Sequence, residues 1–100
     1  MENQHKKITG YRDLSQAEID LMNKIKAHAE TTAALVKEVS GHVQTQLVAT
    51  NPPPDDPYRH LMEAERLEAA QPRRWIAIAT TDFQTGFMAL TRAVAQPTTF

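Results

Sequence analysis

Leu14-Ser15-Gln16-Ala17-Glu18-Ile19-Asp20-Leu21-Met22-Asn23-Lys24-Ile25-Lys26 is the stretch on which the fold turns. The Ser15 side chain can accept a hydrogen bond from an amide of the first turn. Glu18, three residues on, can reach back to the Ser15 amide, which completes a capping box. Leu14 and Ile19 stand at the two positions of a hydrophobic staple, so the angle at which the chain enters the helix is also specified. Beyond this start, Met22, Ile25, Ala29, Val36, Val39 and Val43 recur at steps of three and four, the spacing that keeps side chains on one helical face. Thr32 and Gln46 fall where that pattern calls for an apolar residue, which predicts an interrupted core. Gly41 weakens a helix interior by about 1 kcal/mol relative to Ala and predicts a bend or fraying nearby. Asn51-Pro52-Pro53-Pro54 must end the helix, because proline lacks the amide proton and clashes with the preceding turn.

Towards the C-terminus, Asp56 and Pro57 suit a cap and a first helical position. Residues 58–70 are rich in helix formers, and Pro72 marks either a kink or a fresh start. Residues 73–95 place Ile76, Ala79, Phe83, Phe87, Leu90 and Val94 on one face. Residues 75–81 also pass for a strand, but no second strand is available to pair with them. Pro97 closes the helix. The expected fold is all-α and a single domain over 1–100: an N-terminal arm (1–14), a helix (15–49), a proline loop (50–57), a second helix (58–95) kinked near Pro72, and a tail (96–100). Two long helices around a proline loop form an antiparallel hairpin, which covers only one stripe per helix. Self-association is the simplest way to cover the rest.

The length of 100 residues suits one domain with a modest core, since a chain of this size buries only about 60–70% of its unfolded surface. Net charge is −1, the pI is near 6.4 and the mean hydropathy is −0.49. That balance disfavours a general DNA or RNA coat, which needs clustered Lys and Arg to displace counterions. A small anionic ligand needs only two or three well-placed cations and is not disfavoured. The absence of cysteine removes disulfides, thiolate metal sites and thiol nucleophiles. No apolar run approaches the roughly 20 residues of a membrane span. Residues 1–7 lack the apolar stretch of a signal peptide, so a cytoplasmic location is expected.

Catalytic machinery is not visible. Among the four histidines, His42 lies one helical turn from Glu38, a possible two-ligand pair that a solvated helix face explains equally well. There is no His-Glu-x-x-His pattern and no histidine followed two positions later by Ser or Thr. The three glycines are isolated, so no loop can cradle a nucleotide phosphate. The expectation is a non-enzyme with no metal and no cofactor. Charges that alternate in sign over 58–68 read as a solvated, salt-bridged face. Trp75, Phe83 and Phe87 sit at helical spacing and are expected in the core. Gly10-Tyr11-Arg12 joins an aromatic to a cation just ahead of a helix N-terminus, and a Tyr stacked on a nucleobase is worth roughly 1–3 kcal/mol. Lys24 and Lys26 follow about three turns into the helix, with Lys26 beside the apolar seam at Ile25. From spacing alone, Tyr11 packing on the helix and Lys26 facing solvent is the simpler reading.

Ile8-Thr9-Gly10-Tyr11-Arg12-Asp13-Leu14-Ser15-Gln16-Ala17-Glu18-Ile19-Asp20-Leu21-Met22-Asn23-Lys24-Ile25-Lys26 resembles the opening motif of the bacteriophage anti-CBASS protein 2 family. Gln84-Thr85-Gly86-Phe87-Met88-Ala89-Leu90-Thr91-Arg92-Ala93-Val94-Ala95-Gln96-Pro97 resembles the same family's tail. The resemblance implies a hexamer of helical hairpins that sequesters cyclic di- and trinucleotides, such as 3',3'-cyclic GMP-AMP and cyclic tri-adenylate, without cleaving them. These are the signals with which bacterial CBASS systems trigger abortive defence. The family's dinucleotide pocket uses a tyrosine and a lysine that fall on Tyr11 and Lys26, with Gly10 and Arg12 beside them. Its trinucleotide site uses an arginine at the subunit junction, for which Arg73 or Arg74 is the candidate. The implied setting is the cytoplasm of an infected bacterium, with no DNA or membrane partner. The main rival is a small helical module that binds another protein through its apolar seam. A signal-degrading enzyme and a phage transcription factor are disfavoured by the missing catalytic residues and by the charge.

Overall fold

The computed structural model describes residues 13–49 and 57–98, which form three helices: α1 (Gln16–Ala49), α2 (Pro57–Ala70) and α3 (Pro72–Ala95). Among the described residues there is no strand, and 75–81 is helical. The capping box forms in both directions. The Ser15 amide donates to Glu18 Oε1 at 2.8 Å, and the Glu18 amide donates to Ser15 Oγ at 3.2 Å. A cap of this kind is worth about 1 kcal/mol. Leu14 and Ile19, the staple residues, are both half-buried.

In place of fraying at Gly41, α1 continues to Ala49. Val43, two residues on, is one of the best-buried side chains of the chain, and that anchoring outweighs the glycine's propensity. The seam follows the expected positions at Met22, Ile25, Ala29, Thr32 and Val36, all half-buried, and again at the buried Val43, departing from them at Val39. Val39 is 44% exposed and its inward position passes to Ser40, while beyond Val43 both Gln46 and Leu47 are half-buried. A straight α-helix drifts about 20° per heptad against a strict seven-residue repeat. From Val36 to Val43 the inward steps run four then three in place of three then four, so the expected register holds again at Val43.

Contacts divide the chain into two units. In one, the part of α1 up to Thr32 packs with the part of α3 from Asp82 onward; in the other, the remainder of α1 packs with α2 and the start of α3. Each unit therefore pairs α1 with α3 as a hairpin does, first turns with last turns and last turns with first. The core is thin. Among the described residues, only Val43, Leu67 and Ala95 are buried, and no large side chain is fully enclosed. Trp75 and Phe83, expected inside, are 58% and 43% exposed. Trp75 lies about 100° around α3 from the half-buried Ile76, off the inward face of the helix. Leu90 is likewise exposed. Thr91 takes the inward position, its hydroxyl donating to the Phe87 carbonyl at 3.0 Å, so no polar group is stranded.

The tripeptide Ala-Gln-Pro occurs twice, and it closes α2 and α3 in the same way. Gln71 and Gln96 adopt φ of 50° and 52°. Each amide donates to the carbonyl four residues back, Gln71 to Leu67 at 3.0 Å and Gln96 to Arg92 at 2.7 Å, the hydrogen bond of a left-handed helix cap. Proline at the next position disfavours right-handed helix at the glutamine, which helps to select this cap despite the missing glycine. After Gln71 the chain restarts: Pro72 serves as the first residue of α3, and the Gln71 carbonyl accepts from the amides of Arg74 and Trp75. The junction at Pro72 is a fresh start rather than a kink.

On α2 the alternating charges are solvated. Arg66 grips Glu63 one turn back through both carboxylate oxygens. That hydrogen-bonded guanidinium holds the Glu63 carboxyl below the usual carboxylate range.

Candidate ligand groove

The seam residues Met22, Ile25 and Ala29 occupy one face of α1, and Asn23 and Lys26 lie one position around the helix from Met22 and Ile25. Within the unit that pairs the start of α1 with the end of α3, these five residues form one wall of an open groove of about 820 Å³. The other wall comes from α3: Thr85, Phe87, Met88, Ala89, Thr91, Arg92 and Ala95, with Pro97 beyond the helix end. Small residues set back between large ones (Ala29, Ala89 and Ala95 among Met22, Phe87 and Met88) open the space. Its volume lies within the roughly 300–1,000 Å³ typical of small-molecule sites.

The lining is chemically uneven. Most of it is hydrocarbon or aromatic ring, suited to the faces of planar groups. Among the described residues, one amide, Asn23, and two cations, Lys26 and Arg92, are set into it, with no carboxylate. Lys26 is exposed, its aliphatic stem able to run along the apolar wall while the ammonium reaches solvent. Thr91 spends its hydroxyl on its own helix. A second hollow of about 320 Å³ lies along α3 in the same unit, lined by Asp82, Phe83, Gly86, Phe87 and Leu90.

Of the candidate binding residues singled out in the sequence, Lys26 alone lines the groove among those described. Gly10, Tyr11 and Arg12 lie outside the described residues. Arg73 and Arg74 belong to the other unit. There the Arg73 guanidinium donates to Gln44 Oε1 on α1, and the Arg74 guanidinium sits 5.1 Å from the centroid of the Trp75 ring. Glu38 and His42 are exposed on α1. Among the described residues no three His, Cys, Asp or Glu side chains gather where they could hold a metal ion.

Asn23, Met88 and Arg92 were not singled out by sequence reasoning. Their signal was available: in a hairpin the end of α3 must face the start of α1, and Met88, Arg92 and Ala95 follow one another at steps of four and three, on one side of α3.

The family described as "Acb2/Tad1, hairpin domain" matches residues 3–95. The chain is also similar to Anti-CBASS protein 2 of Pseudomonas phage JBD67, with 45% identity over 105 aligned residues that cover 97% of each of the two chains.

Proposed function

The chain belongs to the Acb2/Tad1 hairpin family, and from that premise we propose that it is a phage-encoded sponge that binds and sequesters the cyclic di- and trinucleotide signals of bacterial CBASS defence without cleaving them. The observation that carries the proposal is the groove beside Lys26, whose described lining has apolar walls, cations and no carboxylate. Bases slide between hydrocarbon walls, Tyr11 stacks on one of them, and Lys26 meets a phosphate. Stacking contributes roughly 1–3 kcal/mol per base and a charge-assisted hydrogen bond about 1.5–3 kcal/mol. Neither contact requires a nucleophile or a metal. Arg73 and Arg74 form the candidate site for cyclic trinucleotides.

Homo-oligomerisation, as a hexamer, completes the proposal. Trp75, Met88, Leu90 and Leu61 are all more than half exposed in the single chain, and apolar surface of this extent gains stability when a second copy covers it. Native mass spectrometry should show one oligomer at micromolar concentration; a well-folded monomer would contradict it. The proposed setting is the cytoplasm of the infected bacterium. No described helix is long and apolar enough to cross a membrane.

Calorimetric titration with a panel of cyclic di- and trinucleotides tests the sponge reading, followed by recovery of the captured ligand after heating. The recovered material should co-elute with the starting compound whether or not magnesium, manganese or zinc is present. Linear products in molar excess over protein would make the chain an enzyme. The same exposed apolar side chains favour a second reading, a helical module that binds another protein. Indifference to every nucleotide, together with a stable hetero-complex, would select it.

A further inference from the structure

The polar groups of the groove differ in kind. Lys26 brings a charge; Asn23, three residues earlier and one turn away on the same side of α1, brings a neutral amide. Asn23 is exposed and lies well inside α1, where it caps neither end and where asparagine is a poor helix former. Among the described residues, no hydrogen bond holds its side chain. Thr91, on the facing wall, has its hydroxyl on the Phe87 carbonyl. We infer that Asn23 reads the edge of a base and biases the groove towards adenine-containing cyclic dinucleotides. This deepens the cyclic-nucleotide reading and rests on it.

A base whose faces lie against Met22, Ile25 and Phe87 must still satisfy the polar atoms on its edge. A donor or acceptor brought there without a partner loses its hydration uncompensated. The asparagine carboxamide presents a donor and an acceptor side by side. Adenine answers with an acceptor and a donor on both edges that point away from the ribose, its amino group beside N1 and its amino group beside N7. Guanine answers only with O6 and N1–H; its other edge, N7 and O6, sets an acceptor against the amide oxygen. The Lys26 contact and the stacking wall already constrain how the base is turned, so the base that pairs in either orientation binds the tighter. Thr85, from α3, cannot make the distinction, because a single hydroxyl suits either base.

The test is titration of the full-length protein with 3',3'-cyclic di-AMP and 3',3'-cyclic di-GMP at several salt concentrations, for the wild type, Asn23→Leu, Asn23→Ala and Lys26→Ala. The wild type should bind cyclic di-AMP at least about fivefold more tightly, the lower end of what a paired base contact discriminates. Asn23→Leu and Asn23→Ala should each bring the two ligands within about twofold by weakening cyclic di-AMP. The slope of log affinity against log salt should stay that of wild type, since a neutral amide displaces no counterion. Lys26→Ala should lower that slope for both ligands and keep the preference. Leu and Ala are better helix formers than Asn, so circular dichroism should show full helicity in both Asn23 variants. A wild-type preference below about twofold, a preference that survives both Asn23 substitutions, or a loss shared equally by the two ligands overturns the inference, even where Lys26→Ala binds weakly. If the wild type binds no cyclic dinucleotide, the sponge reading falls first and this inference with it.

Discussion

Lys26 and the Arg73-Arg74 pair are cations on the two long helices of one chain, and their surroundings differ. Lys26 borders a groove whose walls are apolar and whose second cation has the same sign. Arg73 and Arg74 are engaged within their own unit, one on the Gln44 side chain and the other on the Trp75 ring. A cation beside an apolar cavity with no described carboxylate is poised for an anion from solution. One already bonded to the protein must exchange that contact for a ligand. The difference bears on affinity: the first site gains the full phosphate contact, the second only the surplus over what it gives up.

The largest effects should therefore fall on the groove. Lys26→Ala and Tyr11→Ala are each expected to weaken cyclic dinucleotide binding at least tenfold, about 1.4 kcal/mol. Circular dichroism and native mass should stay those of wild type. If neither substitution alters affinity for any cyclic dinucleotide, the groove is not the site. A smaller effect is expected at the arginines. Arg73→Ala or Arg74→Ala should weaken cyclic trinucleotide binding several-fold and leave dinucleotide titrations unchanged; a shared loss would dissolve the distinction between the two regions.

The smallest effect concerns the protein itself. A double-mutant cycle over Arg73 and Gln44, followed by thermal unfolding, should give a coupling below about 1 kcal/mol, since the bond is exposed and water competes for it. Removing Arg74 from Trp75 should cost about 0.5–1 kcal/mol, as exposed cation–π pairs do. A coupling several times larger would mean that these side chains serve structure first, which would sharpen the contrast with Lys26.

Much of the fold was legible in local chemistry. Ser15 and Glu18 announce the start of α1, and the structure forms both bonds of that cap. Pro72 and Pro97 announce breaks, because proline constrains its own residue and the one before it whatever surrounds them. Less legible was the one inward position between Val36 and Val43, where a straight helix drifts against a strict heptad and Ser40 replaces Val39. Trp75 and Phe83 were read as core from spacing alone. Spacing assigns a helical face, but what covers that face depends on the partners that pack against it.

What the sequence determined by itself is the all-helical character of the described chain, the cap at Ser15 and the closures at Gln71 and Gln96, since each depends on residues within one turn of one another. It also carried the family, through the motif around Tyr11 and Lys26. Only the tertiary structure decided that Arg92 shares a groove with Lys26, that Arg73 is occupied by Gln44, and that Trp75 faces outward. Those facts join residues separated by tens of positions, or assign a face its cover. No helical period encodes which residue of α3 arrives beside a given residue of α1, because that is set by how two side-chain surfaces interlock.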